Sequence, residues 1–236
     1  MLEQWFWDRY AACYDTVNRL VPYRRMLDDL IDALDITPGM RLLNAGCGTG
    51  NLERRLAERG IGCRVTSIDF SDVMLRRAQR KCRNLPITFL KADLTDRLPF
   101  PDESFDRIVS TNVLYTLPSP KNTLQEFSRL LAPNGRMAHS TPIHGFRMIP
   151  IVQSHWRLAC CAEKLDLALF LPSFTALTLF NLALVRREQK GQYTFLTQQE
   201  AEECVQQNDL QGQLNTTYAT QDWLLVMERS RHAVTV

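Results

Sequence analysis

An apolar strand that runs directly into a glycine-rich turn is the feature that most restricts the fold of this chain. The strand is predicted at residues 41–45, followed by Gly46, Gly48 and Gly50, and a helix is predicted from residue 51. Glycine tolerates positive φ and lets a ligand approach the backbone, while the start of a helix exposes unpaired N–H groups. The turn is therefore predicted to hold a polar or anionic part of a ligand. By itself this glycine spacing is a weak signal, because several nucleotide-binding folds use similar turns.

Acidic residues recur at the ends of the next predicted strands. The strand at 64–68 is followed directly by Asp69, and the strand at 87–90 is followed shortly by Asp93. A carboxylate at the first of these positions can accept hydrogen bonds from both hydroxyls of a ribose. Open α/β sheets bind their ligands at the carboxyl ends of strands, so the turn and the two acids are expected to surround one ligand.

Apolar strands alternate with helices over most of the chain. Such strands without strict alternation are typical of a parallel sheet covered on both faces, and right-handed crossovers would make that sheet doubly wound. Strands are predicted at 41–45, 64–68, 87–90, 106–110 and 136–140, helices at 3–20, 23–35, 51–59, 72–82 and 121–131, and a terminal hairpin at 212–218 and 222–227.

The sequence resembles the class I S-adenosylmethionine (SAM)-dependent methyltransferases, especially the small-molecule branch that includes the ubiquinone and menaquinone biosynthesis C-methyltransferases. The resemblance covers roughly residues 10–141, and besides the two acids it is carried by "NAGCGTG" at 44–50, "LPFPDESFDRIVSTNVLYTL" at 98–117 and "LLAPNGRMAHST" at 130–141. It implies a Rossmann-like, doubly wound, seven-stranded α/β sheet with an antiparallel last strand. The predicted organisation is one domain, 1–236, with an N-terminal helical cover at 1–36 and a helical lid inserted at 142–193.

The resemblance also implies SAM as the cofactor. The turn at 44–50 is expected to hold the methionine half of SAM, with Tyr14 donating to its carboxylate, and Asp69 is expected to bind the ribose. Asp93 is expected to accept from the adenine amine, while the N–H of Leu94 reaches the ring. The predicted cofactor-binding residues are Tyr14, Asn44, Ala45, Gly46, Cys47, Gly48, Gly50, Asn51, Asp69, Phe70, Asp93, Leu94 and Asn112.

One position departs from the family's pattern. The family usually carries Asp or Glu where this chain has Asn44. An amide oxygen can accept from the SAM amino group but brings no negative charge to it, so weaker SAM binding is expected. A non-catalytic binding or assembly subunit with the same fold is therefore one alternative. An NAD(P)-dependent oxidoreductase is another, although the third glycine comes one residue early for that motif and Asp93 has no role there.

Two side chains are candidates for catalysis on the acceptor side. His144 follows the fifth predicted strand and is a candidate general base, and Tyr115 follows the fourth; His139, within the fifth strand, is a further candidate. Methyl transfer mainly needs alignment and exclusion of water, and a base is needed only if the nucleophile carries a proton of high pKa. A structural role is the alternative for each residue, and no metal site is predicted.

The segment at 142–193 contains a long stretch without charge, residues 167–185. Its length would suffice to cross a bilayer, but Pro172 and several polar side chains interrupt it. Three interpretations stay open: an ordinary pair of helices packed over the core, a lid over an apolar acceptor pocket with a peripheral membrane or homodimer contact through 165–185, and a spanning helix. The lid favours a hydrophobic acceptor, such as a quinone-, lipid- or secondary-metabolite-like molecule.

Net charge and cysteine content bear on the substrate class and on the cellular compartment. The net charge is +2 with scattered Lys and Arg residues, which argues against a nucleic acid as substrate. The seven cysteines form no CxxC pair, a pattern that suits a reducing compartment. The first residues contain no apolar run of signal-peptide length. The expected location is the cytoplasm, and peripheral attachment to a membrane is the alternative.

Overall fold

The computed structural model describes residues 4–206 and 210–229. Within them, a seven-stranded sheet has the order β3-β2-β1-β4-β5-β7-β6. Neighbours among β1 to β5 pair in parallel, and β7 runs antiparallel to both β5 and β6. The predicted doubly wound sheet with an antiparallel last strand is confirmed. The strands are β1 (Arg41–Ala45), β2 (Arg64–Asp69), β3 (Ile87–Lys91), β4 (Phe105–Thr111), β5 (Leu131–Pro142), β6 (Leu210–Thr217) and β7 (Asp222–Arg229).

Helices cover both faces of the sheet. Successive side chains of a strand point to opposite faces, and in β1 Leu42 and Leu43 belong to two different hydrophobic clusters although both are fully buried. Two-sided burial explains why these strands carry continuous apolar runs. The helices are α1 (Gln4–Tyr14), α2 (Val21–Leu34), α3 (Asn51–Glu58), α4 (Asp72–Lys81), α5 (Pro120–Leu130), α6 (Met148–Leu158), α7 (Cys161–Leu169), α8 (Leu171–Glu188) and α9 (Gln198–Val205).

The parallel register brings the carboxyl ends of the central strands level. Asn44 at the end of β1 lies beside Ser67 of β2 and Val109 of β4, and Thr111 at the end of β4 lies beside Ser140 of β5. The turns that follow β1, β2 and β4 therefore open at one edge of the sheet.

The N-terminal cover differs from the prediction of one helix at 3–20. Residue 3 lies outside the described residues, α1 ends at Tyr14, and residues 15–19 form a tighter 3₁₀ turn. The carboxylate of Asp15 accepts a 2.6 Å hydrogen bond from Lys81 Nζ and another from Thr49, so the chain turns here towards the glycine turn.

Two other predicted boundaries also differ. The helix predicted at 23–35 already begins at Val21 with Pro22 in its first turn, where the missing N–H costs nothing. The strand predicted at 136–140 extends over 131–142, because Leu131 pairs with Phe105 of β4 and pairing with β7 continues to Pro142.

The segment after β5 forms the three helices α6, α7 and α8 rather than a pair. The break between α7 and α8 lies at Phe170, and Pro172 occupies the first turn of α8. Among the described residues, no helix combines the length and the apolar character that crossing a bilayer requires.

Candidate functional site

The glycine turn is held against the end of β2 by backbone hydrogen bonds. The N–H groups of Gly46 and Cys47 both donate to the carbonyl oxygen of Ile68, at 2.8 and 2.9 Å. Gly46 has φ of +77°, and a Cβ on it would lie 2.4 Å from Cγ2 of Val113. Both the backbone conformation and the space therefore require glycine at this position.

Asp69 joins the turn to the end of β2. Its Oδ2 accepts from the N–H of Gly48 at 2.8 Å, and its Oδ1 accepts from the N–H of Ser71 at 2.9 Å. Burial raises the pKa of Asp69 to about 6, although these backbone donors act in the opposite direction. The carboxylate is ionised at neutral pH and keeps lone pairs for a further donor.

The end of β3 contributes the second acid. Oδ1 of Asp93 accepts from the N–H and the hydroxyl of Thr95 at 2.9 and 2.8 Å, and Leu94 beside it is buried. Asp93, Leu94 and Phe70 line the same cavity as Gly46, Gly48 and Asp69. The structure thus brings together the three strand ends that the sequence pointed to.

Asn44 lies just beneath this cavity. Its Nδ2 donates to Oε1 of Glu53 at 2.8 Å, while its Oδ1 is buried without a hydrogen-bond partner among the described residues. Asn44, Cys47 and Asn51 line a small cavity that adjoins the main one. Ala45, buried in β1, and Gly50, which precedes α3, lie outside the lining of both.

The N-terminal cover is tied to the turn by a polar network. Lys81 Nζ donates to Asp15 Oδ1 at 2.6 Å and to Asn51 Oδ1 at 2.5 Å, and Asn18 also donates to Asn51 at 2.7 Å. The side chain of Asn51 is therefore occupied by protein partners. Tyr14 lines both cavities, and burial raises its pKa well above the ordinary value.

Asn112 and Tyr115, which follow β4, also line the cavity. Asn112 has φ of +53° and accepts from Ser140 Oγ at 3.2 Å. The ring of Tyr115 packs edge-on against Tyr193 and Phe195, and burial raises the pKa of its hydroxyl well above the ordinary value.

The structure does not bring the histidine candidates to the cavity. The side chain of His144 is 65% exposed, and its Nδ1 lies 2.9 Å from Oε1 of Glu188, outside the cavity lining. His139 is fully buried and stacks on Phe127, and burial lowers its pKa to about 3.

The remaining walls of the cavity are mostly apolar and aromatic. They come from the N-terminal cover, from the α6–α8 segment and its flanks, and from the turn between β6 and β7. These wall residues are Trp7, Tyr10, Phe146, Asn181, Leu184, Val185, Phe195 and Tyr218.

Sequence reasoning missed Glu53, Lys81 and Asp222. Asp222 is fully buried, and burial raises its pKa to about 8, although the nearby side chain of Asn112 acts in the opposite direction. An acid at a strand start and a lysine at a helix end are ordinary surface patterns, so their burial had no local signal.

A family profile described as a methyltransferase domain matches residues 43–139, which hold the turn and both acids. Residues 43–139 thus match a methyltransferase domain, and the chain is similar to class I SAM-dependent methyltransferases. SAM is the cofactor of such domains, and the polar part of the cavity lining presents acceptors and donors that suit it.

Individual proteins are also similar to this chain in sequence or in fold. The demethylmenaquinone methyltransferase of Thermus thermophilus is 39% identical over 135 residues, which are 54% of this chain and 60% of that protein. The chain thus matches less than two thirds of this curated relative. A chain in the complex between the Haloferax volcanii Trm112 activator and a putative methyltransferase superposes with a TM-score of 0.67 at 18% identity, covering 96% and 98%. A geranyl diphosphate methyltransferase superposes at 0.60 with 16% identity, covering 87% and 77%. These structures share the fold of the methyltransferase domain.

Proposed function

We propose that this protein transfers the methyl group of SAM to a hydrophobic small molecule of quinone-, lipid- or secondary-metabolite-like chemistry. The proposal rests on one cavity whose lining is of two kinds. The glycine turn, Asp69 and Asp93 supply its polar part, and aromatic rings and residues of α8 supply its apolar part. The first suits a polar nucleoside and the second an apolar acceptor. The name of the Thermus thermophilus relative supports a quinone-like acceptor.

The polar part of the lining offers a partner for each part of the cofactor. Asp69 would accept from the ribose hydroxyls, and Asp93 would accept from the adenine amine with the N–H of Leu94 donating to the ring. The glycine turn and Tyr14 would hold the methionine half. Bound SAM supplies a methyl group on a positively charged sulfur.

The chain itself would orient the acceptor and exclude water from the site. Asn112 and Tyr115 line the cavity. Because its pKa is raised by burial, Tyr115 stays protonated and would donate a hydrogen bond to an acceptor oxygen. His144 is exposed and paired with Glu188, so it would take no part in the transfer.

Calorimetry and a methyl-transfer assay test this function. We expect SAM and S-adenosylhomocysteine to bind with a stoichiometry of about one, and NADH not to bind, since a matched site fits a single ligand class. Radiolabelled SAM is then offered with menaquinone-like, fatty-acyl and polar acceptors. Transfer to apolar acceptors alone supports the proposal, and failure of SAM to bind or transfer only to polar acceptors refutes it. Tight SAM binding without transfer to any acceptor would instead support a binding subunit.

We infer that the N-terminal cover (1–36) and the helical lid (142–193) belong to one domain with the sheet. The rings of Phe6 in α1 and Phe180 in α8 lie 5.3 Å apart, and Tyr10 donates a 2.9 Å hydrogen bond to Asn181. Urea denaturation and limited proteolysis test this inference. We expect one cooperative transition in the first and no stable fragment in the second, and release of a folded core lacking either segment would refute the inference.

We further propose that the outer face of α7 and α8 rests on an anionic membrane surface. Residues 147–190 carry six Lys and Arg residues but only three Asp and Glu residues. Asp166 and Glu163 form ion pairs with Arg19 and Arg24, and Glu188 lies 2.9 Å from His144, while Arg157 and Arg186 are exposed. Exposed apolar side chains beside free cations are typical of a surface that binds lipid headgroups and the acyl boundary. The exposed apolar residues are Leu165, Leu169, Phe170, Leu171, Leu179 and Leu182.

The two sides of α8 link this surface to the cavity. Leu184 lines the cavity, while Leu179 is 62% exposed on the outside. An apolar acceptor dissolved in the membrane would thus lie within one helix diameter of the site.

Vesicle sedimentation tests the membrane contact. We expect binding to phosphatidylglycerol vesicles, weaker binding at high salt, and loss of binding in Leu179→Lys. Leu90→Lys, at a 40% exposed position on the edge strand β3, is the matched control and should bind normally. Equal binding of Leu179→Lys and Leu90→Lys, or a dimer in solution that Leu179→Lys dissociates, would refute the membrane contact.

A further inference from the structure

Glu53 is a buried carboxylate, bonded to Asn44, that the proposed function does not use. It lies in the first turn of α3 and is 1% exposed. Its Oε1 accepts from Asn44 Nδ2 at 2.8 Å and from the hydroxyl of Ser67, while its Oε2 has no hydrogen-bond partner among the described residues. A buried carboxylate that lacks an ion-pair partner is costly, so a purely structural role would be filled better by an apolar side chain.

The nearby cation does not neutralise Glu53 directly. Lys81 Nζ donates to Asp15, Thr49 and Asn51, all within 3.0 Å. These bonds hold the ammonium group between the N-terminal cover and the glycine turn, and none of them goes to Glu53. Burial raises the pKa of Glu53, while the hydrogen bonds from Ser67 and Asn44 and the charge of Lys81 act in the opposite direction. A cation bound nearby would favour the ionised carboxylate.

The hydrogen bond to Glu53 fixes the orientation of Asn44. With Nδ2 committed to the carboxylate, the amide presents Oδ1 on its other side, and this oxygen is buried without a partner among the described residues. Asn44 lines the small cavity, which shares Tyr14 and Gly46 with the main cavity. An amide that donates to a carboxylate is also polarised, which makes its oxygen a stronger acceptor.

We propose that Glu53 is a positioning residue for the amino group of the cofactor. It orients and polarises Asn44 so that Oδ1 accepts from the ammonium group, and it supplies from behind the negative charge that Asn44 itself lacks. The inference rests on the proposed function, since it needs SAM in the cavity. It also explains how a chain with an amide at position 44 can hold a cationic amino acid moiety.

Relocating the charge tests the proposal. Glu53→Gln removes the negative charge and keeps the size of the side chain, whereas Asn44→Asp combined with Glu53→Gln moves the charge from position 53 to position 44. Calorimetry measures the dissociation constants for SAM and for 5′-methylthioadenosine, which has the nucleoside but no amino acid part. We expect Glu53→Gln to weaken SAM binding at least tenfold and methylthioadenosine binding less than twofold. The double variant should recover SAM affinity to within threefold of the wild type.

Other outcomes overturn the inference. If Glu53→Gln binds SAM like the wild type, or loses affinity for both ligands equally, Glu53 does not act on the amino group. If the double variant stays as weak as Glu53→Gln, the charge is not what matters. Failure of the wild type to bind either ligand would refute the proposed function instead.

A measurement on the wild type covers the case in which Glu53→Gln does not fold. S-adenosylhomocysteine is compared with its deaminated analogue, which keeps the carboxylate but lacks the ammonium group. A preference of at least tenfold for the amino compound supports the proposal, and equal affinities overturn it.

Discussion

Replacing Gly46 by alanine tests the physical basis of the glycine turn. Gly46 has φ of +77°, and the new Cβ would lie 2.4 Å from Cγ2 of Val113. A left-handed backbone costs a non-glycine residue about 1–2 kcal/mol. Overpacking a tight site costs about 1–3 kcal/mol more. We therefore expect Gly46→Ala to lower the free energy of unfolding by about 2–5 kcal/mol.

A second substitution separates the two contributions. Val113→Ala removes the methyl group that clashes, so the double variant should recover the overpacking part, a coupling of about 1–3 kcal/mol, while the backbone part remains. Urea denaturation measures all the variants. The matched control is Gly62→Ala, where a Cβ meets nothing within 4 Å and φ lies outside the left-handed region. Additive effects of the two substitutions, or a Gly46→Ala as stable as Gly62→Ala, would refute the reasoning.

Three further predictions concern other side chains. Lys81→Met should increase hydrogen exchange of the N-terminal cover, because Lys81 is only 14% exposed and donates hydrogen bonds to Asp15 and Asn51. The control Lys91→Met, at a 54% exposed ion pair, should not increase it. Equal exchange in the two variants would contradict the network. Asp222 has a pKa of about 8 in the folded protein, against a reference value of 3.8. The contribution of its neutral form to the free energy of unfolding is therefore fully present below pH 4 and is lost as the pH rises towards 8, by up to about 1.4 kcal/mol per pH unit. Urea denaturation at several pH values should show a flatter profile for Asp222→Asn, and parallel profiles would count against a buried neutral carboxyl. His144→Ala should keep turnover within about twofold, since its side chain is 65% exposed and does not line the cavity, and a tenfold loss would restore it as the base.

The sheet and the ligand-binding edge follow from local sequence. The bounds of β1 are those predicted, because its buried apolar residues are followed directly by the glycine turn, which ends the strand. The glycine turn and Asp69 were likewise found because each follows directly after an apolar run. Parallel pairing then brings them together without any further information.

The contacts that complete the site depend on residues far apart in the sequence. Lys81 meets Asp15 across 66 positions. Neither residue type nor spacing distinguishes it from a solvated lysine at a helix end. The break of the first helix at Tyr14 has the same origin, since the partners of Asp15 are supplied by other elements. Local propensity cannot predict such tertiary effects.

The charges around the cavity also bear on turnover. Asp69 and Asp93 line the cavity and Glu53 accepts from Asn44 beside it, while Lys81 is paired with Asp15. An anionic and partly buried site attracts a cation more strongly than a neutral ligand of the same shape. SAM carries a sulfonium charge that S-adenosylhomocysteine lacks, so the same charges that hold the substrate should hold the product less tightly. A dissociation constant for S-adenosylhomocysteine below that for SAM at low salt would show that shape, and not this field, dominates binding.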